Sequence, residues 1–173
     1  MNHKHENNKP QLLLIMGVSG CGKSSIAKTL AEKLNYRYLD ADDFHTEQAK
    51  TLMAQGKAIT DAIRAPWVKS ICDHLNTLAV NETHCVLAFS GLKKQHREKF
   101  YTLPFQVKGY LLSGSKTLIQ QRISARKNHF MPPSLLNSQF AALELPCSIE
   151  PIATVDINQT IAAICDTIIS QLK

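Results

Sequence analysis

Residues 17–24 read Gly17-Val18-Ser19-Gly20-Cys21-Gly22-Lys23-Ser24, which has the spacing G-x-x-x-x-G-K-[ST] of a phosphate-binding loop. A continuous apolar run over residues 12–16 precedes the loop, as expected of a buried parallel strand. Apolar residues then recur at helical spacing from Ile26 to Leu34, so the glycines lie at a strand-to-helix turn. Because amide N–H groups at a helix N-terminus point towards a bound anion, the stretch predicts a nucleoside triphosphate site.

Length and composition indicate one globular domain. The chain has 173 residues, enough for a proper core, and no apolar run approaches the ~20 residues of a transmembrane helix. Residues 1–10 are polar and lack the apolar core of a signal peptide, so we expect a disordered tail followed by a single domain over 11–173. Five scattered cysteines without a C-x-x-C pair fit free thiols in a reducing cytoplasm.

The net charge of +6 permits two interpretations. One is nucleic-acid binding, which uses lysines and arginines clustered along a face. The other is an enzyme that handles polyanions such as ATP together with an acidic substrate. No basic run exceeds two residues and aromatic residues make up only 6% of the chain, which favours the enzyme.

Strands and helices alternate along the rest of the chain. Further strands are predicted over residues 36–39, 85–89, 107–112 and 153–157. Helices are predicted over residues 46–55, 92–100 and 135–143 and from about residue 158. Two more helices are predicted to begin after capping residues, one after Thr60 with Pro66 in its first turn and one after Ser115. This alternation predicts a three-layer α/β/α domain with a five-stranded parallel sheet. The Pro-containing segment at about 122–140 is predicted to form a helical lid.

The loop and the next strand supply groups suited to phosphoryl transfer. Lys23 would reach the β- and γ-phosphates and the Ser24 hydroxyl would ligate Mg²⁺. Asp42 follows the second strand, where a carboxylate can accept the proton of a substrate hydroxyl or orient that hydroxyl. Asp40 and Asp43 compete with Asp42 for this role, and an acidic loop facing solvent is the alternative.

Basic residues recur in two later segments. Arg122 and Arg126 lie four residues apart on one helix face, before Pro132, and an arginine carried by a lid would stabilise the charge that develops on the transferred group. An exposed basic helix end is the alternative interpretation. Lys93 and Arg97 follow a strand end and would either bind a carboxylate or face water. The pair Asp61 and Arg64 leaves the same choice open, and His129 is either a lid contact or structural.

Together these stretches resemble the P-loop gluconate kinase (gluconokinase) family, whose relatives include shikimate and adenylate kinases. The matching stretches are residues 17–25, 39–45, 59–61 with 64–67, 90–94 with Arg97, 125–132, 135–140 and 143–146. In order and spacing the resemblance covers the chain from about Leu12 to the final helix. Its A-R-x-x-H-F-M-P and S-Q-F…L-E-x-P runs are far more specific to this family than the phosphate loop is.

The resemblance implies transfer of the γ-phosphoryl group of ATP to the 6-hydroxyl of D-gluconate, giving 6-phosphogluconate and ADP, with Mg²⁺, in the cytoplasm, commonly by a homodimer. It implies nucleotide contacts from Gly17, Ser19, Gly20, Cys21, Gly22, Lys23, Ser24, Ser25, Arg122 and Arg126. It implies substrate contacts from Asp42, His45, Asp61, Arg64, Lys93, Arg97 and His129. Lys23, Asp42 as the base and Arg126 as the lid arginine would be catalytic, and Ser24 would bind the metal.

Two departures from the family pattern keep other substrates open. The family usually has T-D-x-D-R where this chain has Thr60-Asp61-Ala62-Ile63-Arg64, so the acid next to Arg64 is missing. Phe89 stands where the family often has cysteine. A kinase for another polyhydroxy acid is therefore the first alternative.

A non-catalytic nucleotide-binding or regulatory module, which would bind nucleic acid through its positive charge, is the second alternative. Intact Lys23, Ser24, Asp42 and Arg126 argue against it, since such a module need not keep all four. Shikimate kinase is disfavoured because no Gly-Gly-Gly run follows the third strand. We expect a small-molecule partner, with no nucleic acid and no membrane.

Overall fold

A computed structural model describes residues 9–126 and 132–172. The strands are β1 (Gln11–Met16), β2 (Arg37–Asp40), β3 (Cys85–Ala88), β4 (Gln106–Ser113) and β5 (Ile152–Asp156). The helices are α1 (Lys23–Leu34), α2 (Glu47–Ala54), α3 (Asp61–Val80), α4 (Lys94–Tyr101), α5 (Lys116–Ser124), α6 (Pro133–Ala142) and α7 (Ile161–Ser170). A 3₁₀ turn (Ala41–Phe44) follows β2 directly.

The strands form one sheet in the order β2-β3-β1-β4-β5, and every pairing is parallel. The predicted five-stranded parallel sheet is thus confirmed. β1 is central and pairs with β3 on one side and β4 on the other. Because the strands are parallel, the segments that follow β1, β2 and β3 meet at one edge of the sheet, where open α/β sheets bind ligands.

The side chains of β1 alternate between two hydrophobic cores. Leu13 and Ile15 pack with residues of α1, α5 and α7, whereas Leu12, Leu14 and Met16 pack with residues of α3 and α4. All of these β1 side chains are fully buried. A strand buried on both faces needs helices on both faces, so the sheet is the middle of three layers, as predicted.

Local signals in the sequence set most helix ends. Asn35 adopts a left-handed conformation and ends α1, and the hydroxyls of Thr60 and Ser115 accept the capping hydrogen bonds of α3 and α5. Pro66 differs from prediction. Since α3 begins at Asp61, Pro66 is its sixth residue and lies beyond the first turn, where its missing N–H removes one helical hydrogen bond.

Of the helices that the structure describes, none is long and apolar enough to cross a bilayer. Residues 1–8 of the predicted tail lie outside the described part of the chain, and so does His129 with the rest of 127–131. The proposals for a tail and for a substrate contact from His129 therefore stay predictions.

Candidate active site

A cleft of about 1200 Å³ opens at the carboxyl edge of the sheet. Its walls are the phosphate loop, the turn after β2, the connection between α2 and α3, the start of α4 and one side of α6. Ligand pockets in proteins commonly measure ~300–1,000 Å³, so this cleft is at the large end of ligand-binding sites.

The N-terminus of α1, which follows the phosphate loop, has no side-chain cap among the described residues. Gly22 holds the N-cap position at φ 98°, a conformation that favours glycine, and the first amides of α1 are left for another acceptor. Lys23 Nζ donates to the carbonyl oxygen of Val18 at 3.0 Å, which folds the lysine over the loop. Free helix N-terminal amides beside a lysine are the arrangement that binds phosphate.

Asp40 is held at the end of β2 by three hydrogen bonds. It accepts the Ser24 hydroxyl at 2.9 Å, the Tyr38 hydroxyl at 3.0 Å and the backbone N–H of Asp42 at 3.0 Å. Burial of the Tyr38 ring and the negative charge of Asp40 raise the pKa of Tyr38 to about 12, so Tyr38 remains a donor. Asp40 is therefore oriented towards the phosphate loop.

Asp42, two residues on, leaves its carboxylate free to face the cleft. Its side chain is 82% exposed and lines the cleft, whereas Asp43 does not line it. Partial desolvation by the surrounding walls, followed by the charge of Asp40, raises the pKa of Asp42 above the ordinary aspartate value. A carboxylate with a raised pKa holds a proton more readily, which suits a base that must take one.

His45 and Trp67 form the floor beside Asp42. Their rings stack with centroids 4.2 Å apart, and the Trp67 indole N–H donates to the carbonyl oxygen of Ala41 at 2.7 Å, fixing the turn that carries Asp42. The Nε2 atom of His45 lies 3.7 Å from the Asp42 carboxylate, and its buried Nδ1 has no partner among the described residues. Burial lowers the pKa of His45, so its ring is neutral near pH 7.

Lys93 and Arg64 are two cations on one wall of the cleft, and they differ in whether a carboxylate of the protein binds them. Lys93 Nζ contacts both carboxylate oxygens of Asp61, at 2.9 and 2.7 Å. Arg64 lines the same wall and is half-buried, and its guanidinium makes no hydrogen bond or ion pair with another described residue. Burial lowers the pKa of Arg64, because the surrounding protein disfavours its charge. The charge of Lys93 is thus compensated within the protein and that of Arg64 is available.

The structure places Arg97 outside the cleft, contrary to the prediction that it contacts substrate. Its side chain is 2% exposed and is absent from the cleft walls. Nε and Nη2 donate to the two Glu150 carboxylate oxygens at 2.8 and 2.9 Å, and Nη1 donates to the carbonyl oxygens of Gly91, Leu92 and Glu144. An arginine whose two ends are both bonded inside the protein cannot also clamp a substrate carboxylate, so Arg97 supports the wall that carries Lys93.

Three predicted nucleotide contacts also lie behind the cleft. Arg122 donates to the carbonyl oxygen of Ile157 at 2.8 Å, which ties α5 to the end of β5. The Gly17 N–H donates to the backbone carbonyl oxygen of Ser90 at 3.1 Å, and the Cys21 side chain is fully buried. A Cβ on Gly17 would lie 2.7 Å from the Cys21 sulfur, so these two residues shape the loop.

The remaining predicted site residues are brought together. Residues that line the cleft are Ser19, Gly20, Gly22, Lys23, Ser24, Ser25, Asp42, His45, Asp61, Arg64, Lys93 and Arg126. They come from five separate stretches of sequence and meet because each stretch follows a strand end or flanks a helix at the same sheet edge.

Two cleft residues have roles that sequence reasoning missed. Trp67 belongs to the apolar face of α3, which predicts a core position, yet its ring also lines the cleft. Gln139 on α6 contacts the phosphate loop at Ser19 through both atoms of its amide. The only signal for Gln139 is its place in the S-Q-F run, because a polar residue in a family-specific motif indicates a specific contact.

The chain is similar to known proteins in both sequence and fold. A protein-family profile described as an AAA domain matches residues 12–146. The chain is 36% identical to the probable gluconokinase of Rattus norvegicus, with 95% of this chain and 98% of that protein aligned, and 36% identical to the gluconokinase of Gluconobacter oxydans, with 85% and 83% aligned. The crystal structure of a gluconokinase from Sinorhizobium meliloti 1021 superposes with a TM-score of 0.85 at 32% identity, covering 94% of this chain and 91% of that one.

Proposed function

The chain belongs to the gluconokinase family of P-loop kinases, and we propose that its cleft transfers the γ-phosphoryl group of ATP to the 6-hydroxyl of D-gluconate, giving 6-phosphogluconate and ADP. One observation carries the proposal. The phosphate loop, the exposed Asp42 carboxylate and the uncompensated Arg64 all open into the same cleft. A phosphoryl donor, a base and an anchor for an acid are the three parts that this reaction needs.

On the donor side, the loop amides and Lys23 are proposed to bind the ATP phosphates. The Lys23 ammonium would exchange its Val18 carbonyl for phosphate oxygens, which are stronger acceptors. Arg126 lines the cleft and is the candidate for the charge that develops on the transferred group.

Mg²⁺ is the proposed cofactor, and the oxygens present fit it. Ser24 and Asp40 place a hydroxyl and a carboxylate 2.9 Å apart beside the loop. Within residues 9–126 and 132–172, no group of three or more His, Cys, Asp or Glu side chains could hold a metal alone. This agrees with Mg²⁺, which usually takes one or two protein oxygens and completes its shell with phosphates and water. When bound, Mg²⁺ would neutralise charge on the phosphates.

On the acceptor side, Asp42 is the proposed base. Asp40 is already committed to three donors and Asp43 does not line the cleft, so Asp42 is the aspartate with a free carboxylate. It would take the proton of the 6-hydroxyl as that oxygen bonds to the γ-phosphorus and ADP leaves. Its raised pKa supports this assignment.

Arg64 is the proposed anchor for the gluconate carboxylate. A half-buried guanidinium with no described carboxylate partner gains more from binding an anion than Lys93 does, because Lys93 already bonds Asp61. Lys93, Asp61 and His45 are then proposed to bond hydroxyls along the sugar chain. The missing acid beside Arg64 does not alter the cleft wall, since Ile63 is not among its lining residues.

The test is a coupled assay of ADP release with ATP, Mg²⁺ and a panel of D-gluconate, other sugar acids and the uncharged polyol sorbitol. We expect turnover on gluconate and much less on sorbitol. Arg64→Gln should raise KM for gluconate about 10- to 100-fold, as loss of a charged hydrogen bond predicts, and change KM for ATP less than about twofold. Lys69→Gln is the matched control, because Lys69 is an exposed cation of the same helix that pairs with Asp73 away from the cleft.

Each part of the proposal has its own contrary outcome. If none of the sugar acids in the panel supports ADP release, the kinase assignment is refuted. Preference for a different acid would transfer the assignment to that substrate. A rise in KM for ATP with Arg64→Gln, and none for gluconate, would place Arg64 on the nucleotide side.

The family also supports a homodimer and a cytoplasmic location for this chain, which we propose on that ground. Light scattering on a sizing column would measure the mass in solution, and a mass of one chain of 19.3 kDa would exclude the dimer.

A further inference from the structure

Trp67 of α3 contacts both ends of the 3₁₀ turn that carries Asp42. Its indole N–H donates to the carbonyl oxygen of Ala41, the first residue of the turn, at 2.7 Å. Its ring stacks on the ring of His45, the residue that follows the turn, with centroids 4.2 Å apart and planes 11° from parallel. Asp42 therefore lies between two points of the chain that one side chain holds.

The position of the Asp42 carboxylate follows the position of this turn. The side chain is 82% exposed, and its contact with His45, 3.7 Å to Nε2, is longer than a hydrogen bond. Two backbone contacts shape the turn around it. The Asp42 N–H donates to the Asp40 carboxylate at 3.0 Å, and the Asp42 carbonyl oxygen accepts the His45 N–H at 3.2 Å. A shift of the turn would thus move the carboxylate with it.

Trp67 has little freedom to move. Its side chain belongs to the core that α3 and α4 form with the sheet, and the residue is 5% exposed. The Phe89 ring lies 5.3 Å from the Trp67 ring, and the Phe100 ring lies 4.9 Å from that of Phe89. Because a close-packed interior transmits strain and yields little, the indole is a fixed support for the turn.

The same helix carries the proposed anchor for the acid. Arg64 and Trp67 are three residues apart in α3, so they are neighbours on one helix face, and both line the cleft. The anchor is thus part of α3, and the base is attached to α3 through Trp67. One rigid element relates the two groups that have to meet opposite ends of one substrate.

We propose that Trp67 is a positioning residue that sets the place of Asp42 relative to Arg64, so that the reacting hydroxyl of a bound acid meets the carboxylate. Trp67 transfers no proton and acts through Asp42. The inference rests on the proposed function in taking Asp42 as the base and Arg64 as the anchor, whereas the hold on the turn concerns the fold alone.

The first test measures amide hydrogen exchange of the turn by NMR, without substrates. Trp67→Phe keeps an aromatic ring and removes the N–H. The amides of Asp42 and His45 should then exchange about 5- to 100-fold faster, because the buried carbonyl oxygen of Ala41 loses its bond and the turn opens more often.

Phe105→Leu is the matched control for this test. Phe105 is a buried aromatic residue of the same core, and it directly precedes β4, at the sheet edge opposite the cleft. The control should leave exchange of the Asp42 and His45 amides within about twofold of the wild-type rate, because a packing loss at that edge does not reach the turn.

A second variant removes only the donor. Replacement of Trp67 by 3-benzothienylalanine puts sulfur in place of the indole N–H at nearly the same ring size. It should speed the exchange of both amides as Trp67→Phe does, and it provides the measurement if Trp67→Phe does not fold.

The second test is a double-mutant cycle with Asp42→Asn. In the wild-type background, Trp67→Phe should lower kcat about 10- to 100-fold, the effect of a misplaced base, with KM for ATP within about twofold. In the Asp42→Asn background it should lower kcat less than about twofold further, because its effect passes through the carboxylate that is already lost. A merely structural role would lower kcat by the same factor in both backgrounds.

The outcomes separate this inference from the proposed function. Exchange within twofold of wild type in both Trp67 variants would overturn the inference, and so would equal losses of kcat in the two backgrounds. Turnover of no sugar acid by the wild-type protein would refute the proposed function instead, and the exchange measurement would still decide whether Trp67 holds the turn.

Discussion

Replacing Arg97 should lower the free energy of unfolding and leave the affinity for substrate unchanged. Arg97 makes five hydrogen bonds, two of them to Glu150, and both side chains are only 2% exposed. Arg97→Met removes the compensation of a buried carboxylate, and breaking such a pair from one side costs about 3–5 kcal/mol. Arg97→Lys keeps the charge but loses the paired geometry, so we expect about 1–3 kcal/mol.

Urea unfolding followed by the fluorescence of Trp67, the one tryptophan of the sequence, measures this loss as a lower midpoint at constant slope. Lys94→Met is the control, because Lys94 pairs with Glu98 on the exposed face of the same helix at 3.6 Å, and it should cost less than about 0.5 kcal/mol. KM for gluconate of folded Arg97→Lys should stay within about twofold of wild type, because Arg97 does not reach the cleft. An unchanged midpoint together with a tenfold rise in KM would refute the reasoning and return Arg97 to the substrate.

Two further predictions concern ionisation. Asp42→Asn should lower kcat about 10²- to 10⁴-fold with KM for ATP little changed, and steady-state assays giving a loss below tenfold would argue against Asp42 as the base. The Arg97 hydrogen bonds lower the pKa of Glu150 to about 2, so the stability that Glu150 contributes is complete above its ordinary value of 4.5 and is lost as pH falls towards 2. Urea midpoints should show up to about 2 kcal/mol of this loss between pH 4.5 and pH 3, and Glu150→Gln should abolish that part of the slope; an equal slope in the variant would contradict it.

The donor half of the site was predictable because its signals are local. Lys23 and Ser24 lie within eight residues that carry the whole motif, and the flanking strand and helix have periodicities that short windows reveal. The central position of β1 and its two cores follow from a continuous apolar run, which requires cover on both faces.

The acceptor half was predictable only in part, because the partners of its charges are distant in sequence. Lys93 and Arg97 are both basic residues after β3, yet one faces the cleft and the other is buried against Glu150, 53 residues later. Nothing within a short window distinguishes them, since the difference is made by the return of the chain after α6. The same holds for Gln139, whose contact at Ser19 spans 120 residues.

Glu150, the carboxylate that binds Arg97, lies late in the sequence, and this affects the order in which parts of the site can form during synthesis. The phosphate loop, β1 to β4 and Arg97 have all been translated before Glu150 is added. Until then the guanidinium has no carboxylate to bond, and the segment that holds Lys93 lacks its support. β5 and α7 follow Glu150 in the chain and complete the core around α1, so both halves of the site depend on the last quarter of the sequence.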